Sequence, residues 1–212
     1  MKKFVINLKR RTDRLESFER LCPFNGVEVM YGFDAKYEQP TTSEKIVIDK
    51  FKKLRPGEIG VFISHLRIYH EMINRDIPYG FIMEDDAIFC NDFINKFNSV
   101  QEELPKDTDI LFIGGRFVPN FITRNCSRVS NNIVKHINTN NWNRHDMDRT
   151  MHAYIVSKAM AQIFINEFYG SNIIMVPIDS WIFDIFLKHS IPIYNSQPLL
   201  CFSPLVGDSD IR

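Results

Sequence analysis

The run Tyr79-Gly80-Phe81-Ile82-Met83-Glu84-Asp85-Asp86-Ala87-Ile88-Phe89 places three successive carboxylates directly after a short apolar stretch. An apolar run bounded by turn signals predicts a buried strand. The acids then stand at its carboxyl end, which is where open α/β sheets form their ligand crevice. Adjacent carboxylates repel one another and resist desolvation. A hard divalent cation relieves both problems, and an all-oxygen site suits Mg²⁺ or Mn²⁺. The bland alternative is a solvated acidic turn.

A basic counterpart lies near the start of the chain. Phe4-Val5-Ile6-Asn7-Leu8 predicts a buried strand, followed by Lys9-Arg10-Arg11-Thr12-Asp13-Arg14 and a helix from about Asp13 to Leu21. Asp13 and Glu16 have the spacing of a capping box. A strand, a basic turn and a helix N-terminus together favour phosphate, because free N–H groups, the helix dipole and guanidinium groups converge there. Arg11 and Arg14 are the candidates; the alternative is a solvated surface turn. Further along, Ser64 and His65 sit inside an apolar helix, where His65 reads locally as a satisfied core histidine. Asp179 opens another helix and reads locally as its N-cap.

The elements that must position these groups follow from periodicity. Gly26 to Ala35 alternates apolar residues and predicts a second strand. Leu54 to Gly60 opens a helix reaching about Asn74, apolar on more than one side. A helix from about Asn91 to Leu104 follows the acidic strand, then a buried strand Asp109–Gly115 that ends in glycines, open to close approach by a ligand or backbone. Arg116 to Arg149 loses its pattern apart from a strand at 133–137, and predicts a mobile, substrate-facing loop. A strand at 151–157, a helix from Lys158 to about Phe168 and a helix from Asp179 to about His189 complete the chain. Strands alternating with helices predict a single α/β domain over residues 1–212 with a mainly parallel central sheet.

Composition narrows the partners. The 212 residues are 44% hydrophobic with a formal net charge of zero. Such a balance offers no basic field for nucleic acid. No stretch reaches the ~18 apolar residues of a membrane span. The scattered Cys22, Cys90, Cys126 and Cys201 suggest neither a zinc site nor a disulfide framework. The apolar stretch at the N-terminus is too short for a signal peptide. The expectation is a cytoplasmic protein.

The order of these pieces resembles glycosyltransferase family 25, the group of lipopolysaccharide-biosynthesis and collagen galactosyltransferase enzymes. The resemblance rests on Val5-Ile6-Asn7-Leu8 with Arg11, Asp13 and Arg14. It continues through Gly57-Glu58-Ile59-Gly60 to Ser64-His65, then Ile82-Met83-Glu84-Asp85-Asp86, and last Ala153-Tyr154-Ile155-Val156-Ser157. It implies a GT-A fold and inverting transfer of a hexose, galactose or glucose, from a UDP-sugar. It further implies Mn²⁺ (or Mg²⁺), with Asp86 as the metal ligand and Glu84 or Asp85 on the ribose or a second metal contact. By the same likeness Asn7, Leu8, Ser64 and His65 become donor-site residues, and Asp208 or Asp210 of the tail a further metal contact. The acceptor would be a hydroxyl of a glycan, lipid-linked or protein-linked sugar.

Inverting transfer needs a carboxylate apart from the metal cluster to take the acceptor's proton. Asp179 is the candidate. Two readings compete with this one: a nucleotide-sugar-binding module without turnover, and a metal-dependent phosphotransferase or nuclease using the same acidic strand end.

Overall fold

The computed structural model describes residues 1–41, 45, 47–115, 126–137 and 151–203. In chain order, β1 (Lys2–Asn7), α1 (Thr12–Leu21) and β2 (Glu28–Tyr31) come first, then α2 (Pro56–Asn74), β3 (Tyr79–Glu84) and β4 (Ile88–Phe89). α3 (Phe93–Glu102), β5 (Ile110–Phe112), β6 (Gly114–Gly115), β7 (Cys126–Arg128) and β8 (Ile133–His136) follow. The chain continues with β9 (Ala153–Ser157), α4 (Lys158–Gly170), α5 (Ile178–His189), β10 (Tyr194–Ser196) and β11 (Cys201–Phe202).

Among the described residues, eight strands form one sheet in the order β2-β1-β3-β9-β5-β10-β8-β7, with helices on its faces. The α/β architecture is the expected one, but the sheet is mixed. β1 runs parallel to β2 and β3, and β10 parallel to β5. The pairs β3–β9, β9–β5, β10–β8 and β8–β7 are antiparallel. Alternation of strands and helices suggests crossovers, yet it carries no information on β9, which inserts backwards between β3 and β5. The parallel trio is what matters for the site, because its carboxyl ends coincide: Ile6 pairs with Glu84, and Asn7 with Tyr31.

Period-two side-chain alternation sorts the core onto two faces. Ile82, Tyr154 and Val156 face a cluster with Phe62, Tyr69, Phe164, Phe168 and Phe186, built on α2, α4 and α5. Phe81, Met83, Ala153 and Ile155 face Phe18, Phe93 and Phe97 on α1 and α3. Each such ring, fully buried, contributes about 1.5–3 kcal/mol. The sheet is thereby clamped on both sides, leaving the strand ends for chemistry.

Two local expectations change. The second strand stops at Tyr31; Gly32 still donates to the Asn7 carbonyl at 2.9 Å, and the chain then turns. The middle of the loop expected at 116–149 is ordered, with β7 and β8 paired in the main sheet; residues 116–125 and 138–150 lie outside the described residues. Among residues 173–176, Ile174 makes an isolated bridge to Phe51. β4, β11 and β6 form a second, three-stranded sheet, in which β11 pairs with β4 just after the acidic turn.

Candidate active site: an acidic cleft at the strand ends

β3 ends at Glu84, and the turn Asp85-Asp86-Ala87 closes with a hydrogen bond from the Ala87 N–H to the Glu84 carbonyl. The strand end is tied on both sides: Glu84 donates to the His152 carbonyl at 2.9 Å and Asp85 to the Ile6 carbonyl at 3.1 Å. The acids therefore project from a fixed backbone.

Arg14, from the first turns of α1, reaches across them. Its guanidinium lies 2.6 Å from Asp85 Oδ1 and 2.9 Å from Asp86 Oδ2. Asn7 donates to Asp85 Oδ2 at 2.7 Å and to the Arg11 carbonyl at 3.0 Å. The cation anticipated for the acidic cluster is thus matched in part by the protein's own arginine. Burial pushes the Asp85 carboxyl up to about 6 against the pull of Arg14. Burial and the Glu84 charge push Asp86 up to about 7. Glu84 moves the other way: burial opposes its charge, but His65, His152 and Arg14 outweigh it and hold it below the usual range.

Glu84, Asp85, Asp86 and Arg14 line an open cleft whose empty space, bulk solvent at its mouth included, is about 650 Å³, with Leu8, Phe33, Ala35 and Val61 on its apolar flank and Asp34, Lys36 and Ser64 as further polar groups. Gly60 explains the G-E-I-G pattern: a Cβ there would stand 2.6 Å from the Phe33 carbonyl oxygen. The bare helix backbone is what lets the 33–35 segment close against α2. Ser64 secures the same wall, donating to the Gly60 carbonyl at 2.6 Å and accepting the Phe33 N–H at 3.0 Å.

Several residues singled out in the sequence meet here and others do not. Asn7, Leu8, Arg14, Ser64, Glu84, Asp85 and Asp86 converge. His65 is fully buried as a core histidine would be, yet its Nε2 lies 3.5 Å from Glu84 Oε1. Arg11 turns instead to Asp13, at 2.9 and 3.0 Å, and holds that carboxyl down to about 2. The expected Asp13 capping box is accordingly absent; Arg11 is the N-cap, without a side-chain cap bond. The N-cap of α5 is Pro177, with Asp179 in the first turn, where its carboxylate accepts the Ser180 N–H at 2.7 Å. Asp179 is half-buried and is not among the described residues lining the cleft. Asp208 lies outside the described residues. Of the two glycines ending the β5 stretch, Gly114 admits close approach by protein: a Cβ there would meet Ala153 Cβ and the His152 ring at 2.9 Å.

The cleft carboxylate Asp34 escaped the sequence reading. Asp34 is 7% exposed and pairs with Arg10 Nε at 2.6 Å. Its signal was the same as that of the acidic triplet, a carboxylate just beyond the carboxyl end of an alternating strand.

Among the described residues no three His, Cys, Asp or Glu side chains are grouped to hold a metal ion. A cage is not required, since Mg²⁺-type sites use one or two carboxylates completed by substrate phosphates. Asp86 Oδ1 fits that role: it is buried with no hydrogen-bond partner.

A mixed α/β sheet with an acidic cleft at the ends of its parallel strands defines a GT-A-like architecture. Consistent with this, the fold is similar to that of a glycosyltransferase involved in the glycosylation of the major capsid of PBCV-1, with TM-score 0.52 at 10% identity over 99% of this chain and 94% of that one. Residues 1–182 match Glycosyltransferase family 25 (LPS biosynthesis protein), and the chain belongs to that family.

Among its relatives is procollagen galactosyltransferase 2 of Mus musculus, 25% identical over 94% of this chain and 33% of the relative. Another is the probable inactive glycosyltransferase 25 family member 3 of Bos taurus, 26% identical over 54% of this chain and 22% of the relative. The chain thus spans about a third of the length of the galactosyltransferase.

Proposed function

We propose that this chain is a metal-dependent, inverting hexosyltransferase. It would move galactose or glucose from a UDP-sugar to a hydroxyl of a glycan, lipid-linked or protein-linked acceptor. The observation that carries the reading is the cleft itself, with Glu84, Asp85 and Asp86 fixed at the end of β3 and one Asp86 oxygen left unpartnered.

In this reading Asp86 holds Mn²⁺ or Mg²⁺ together with the donor diphosphate, and Asp208 of the tail is a second proposed ligand. The cation, when bound, offsets the negative charge developing on the departing diphosphate. Arg14, already seated against Asp85 and Asp86, adds a positive charge on the same side. Asn7 fixes Asp85, while Leu8, Phe33, Ala35 and Val61 offer an apolar wall to the nucleoside. Asp179 is the proposed base for the acceptor hydroxyl, supported by its separation in sequence from the acidic triplet. The four free thiols suit a reducing, cytoplasmic setting.

Incubating the protein with UDP-galactose or UDP-glucose and Mn²⁺, with and without a panel of sugar acceptors, tests the proposal. Metal-dependent UDP release stimulated by acceptor is expected. Failure to bind UDP with either cation would refute it. A second reading, binding without turnover, is favoured by the likeness to the probable inactive relative; it predicts UDP affinity with no release from the sugar.

A further inference from the structure

Behind Glu84 a line of buried hydroxyls and an imidazole runs into the core. Tyr69 Oη lies 2.7 Å from Tyr154 Oη, and Tyr154 Oη lies 2.8 Å from His65 Nδ1. On the far side of the ring, Nε2 faces Glu84 Oε1 at 3.5 Å. All three rings are 0% exposed. Nε2 makes no closed hydrogen bond, so a buried polar atom is aimed at the site with its partner just out of reach.

Counting protons decides the direction of the chain. Each tyrosine has one proton to give, and the neutral imidazole has one, on either nitrogen. Suppose Tyr69 donates to Tyr154, and Tyr154 donates to His65 Nδ1. The ring proton is then on Nε2 and points at the Glu84 carboxylate, and every proton has an acceptor. In the opposite sense His65 Nδ1 donates to Tyr154 and Tyr154 to Tyr69. The Tyr69 proton is then left in apolar core without an acceptor among the described residues, and the Nε2 lone pair faces a carboxylate. A buried, unsatisfied donor costs about 1–3 kcal/mol. In the first sense the one open proton, on Nε2, faces a carboxylate at 3.5 Å instead of apolar core, and the low dielectric around the chain strengthens each bond.

We propose that Tyr69 and Tyr154 are positioning residues: they set the His65 tautomer so that its Nε2–H anchors the Glu84 carboxylate in the cleft. Tyr69 acts on Tyr154, Tyr154 on His65, and His65 on Glu84; neither tyrosine touches the ligand. The 3.5 Å gap closes when a bound ligand draws Glu84 into place, as site hydrogen bonds commonly tighten on loading. The G-x-x-x-S-H pattern then carries two jobs one residue apart, with Ser64 holding the cleft wall and His65 holding the acid. The effect on nucleotide affinity rests on the donor-site reading above; the tautomer does not.

The test separates the two. ¹⁵N NMR of the imidazole is recorded on the parent, on Tyr154→Phe and on Tyr69→Phe, and UDP affinity with Mn²⁺ is titrated on the same samples. The parent should carry its proton on Nε2. Tyr154→Phe should lose that preference, with UDP affinity down on the order of 10-fold, the usual cost of removing a group that orients a site ligand. Tyr69→Phe leaves the Tyr154 donor in place and should keep the tautomer with a smaller loss. His65→Gln retains an N–H for Glu84 and should bind UDP better than His65→Leu. A parent histidine protonated on Nδ1, or an unchanged tautomer in folded Tyr154→Phe, overturns the proposal. A parent that shows the Nε2 proton but no UDP binding upholds the chain and refutes the donor-site reading instead.

Discussion

The two ends of the eight-stranded sheet bury polar groups by opposite means. At β1 and β3 three carboxylates crowd together and an arginine is laid over two of them, so charge is kept and balanced. At β10, β8 and β7 two half-buried titratable groups are kept neutral. His136 Nε2 donates to Asn195 Oδ1 at 3.0 Å beside the Cys126 thiol, and burial pushes the imidazole down to about 4 and the thiol up to about 11. Holding like charges in a protein is costly, and stabilising interactions alone give no reason to do it. The first end is therefore where a ligand is expected, and the second is architecture.

The largest expected effect tests whether catalytic charge extends beyond the acidic end. Asp179→Asn should lower sugar transfer by on the order of 10²- to 10⁴-fold, the usual worth of a positioned base. UDP affinity should hold. Stability should fall by about 1 kcal/mol or less, because a first-turn acid is favoured by the helix dipole. Near-parental transfer would move the base to another carboxylate, and Asp34 inside the cleft would be the next to substitute.

The second contrast is pH. His136 titrates near 6.5 when unfolded and at about 4 when folded. Between these values the unfolded chain binds the proton and the folded one does not, so stability falls as pH drops through this window. The loss approaches about 3 kcal/mol at its low end. His136→Gln keeps an N–H for Asn195 and removes the titration. Melting curves from pH 7 to pH 4.5 should be flatter for the variant; parallel curves would show that His136 is not the neutral group described.

Asp86→Asn sharpens the other end. It retains the volume and removes one charge, and Mn²⁺-dependent UDP affinity should drop by roughly 10- to 100-fold. With one fewer acid beneath Arg14, the fold should persist. Undiminished affinity would mean that Asp86 Oδ1 is not the metal ligand.

The same contrast explains how much could be read in the sequence. The acidic end was legible because its signals are local: an apolar run stopped by Glu84-Asp85-Asp86, and Arg14 one turn into a helix. The Arg14 clasp itself was not, since residues 14 and 85 meet only through the parallel pairing of β1 with β3. The G-E-I-G helix was visible as periodicity, yet the reason for Gly60 lies in the backbone of residue 33. At the neutral end β7 and β10 went unread; each is only three residues long, too short for alternation to rise above noise. Strand direction was also hidden, because side-chain alternation is the same for parallel and antiparallel pairing.

Gly60 supplies the smallest effect and decides the sign of an everyday rule. In the middle of a helix Ala is favoured over Gly by about 1 kcal/mol. If the space beside α2 were open, Gly60→Ala would stabilise the protein by that amount. The added Cβ would instead stand 2.6 Å from the Phe33 carbonyl, a backbone atom that cannot swing aside. Relieving that overlap shifts residues 33–35 and costs about 1–3 kcal/mol, so the net change should be a loss of on the order of 1 kcal/mol after the helix-propensity gain. The same shift moves Phe33, Asp34 and Ala35, which line the cleft, so UDP affinity should weaken alongside stability. Gly26→Ala is the comparison, since its φ of +68° predicts a backbone penalty in open space, at a residue outside the lining of the cleft. That variant should lose stability and keep UDP affinity. A Gly60→Ala protein that melts higher than the parent would show that α2 and the 33–35 segment are not in close contact, and the wall of the proposed donor site would have to be redrawn.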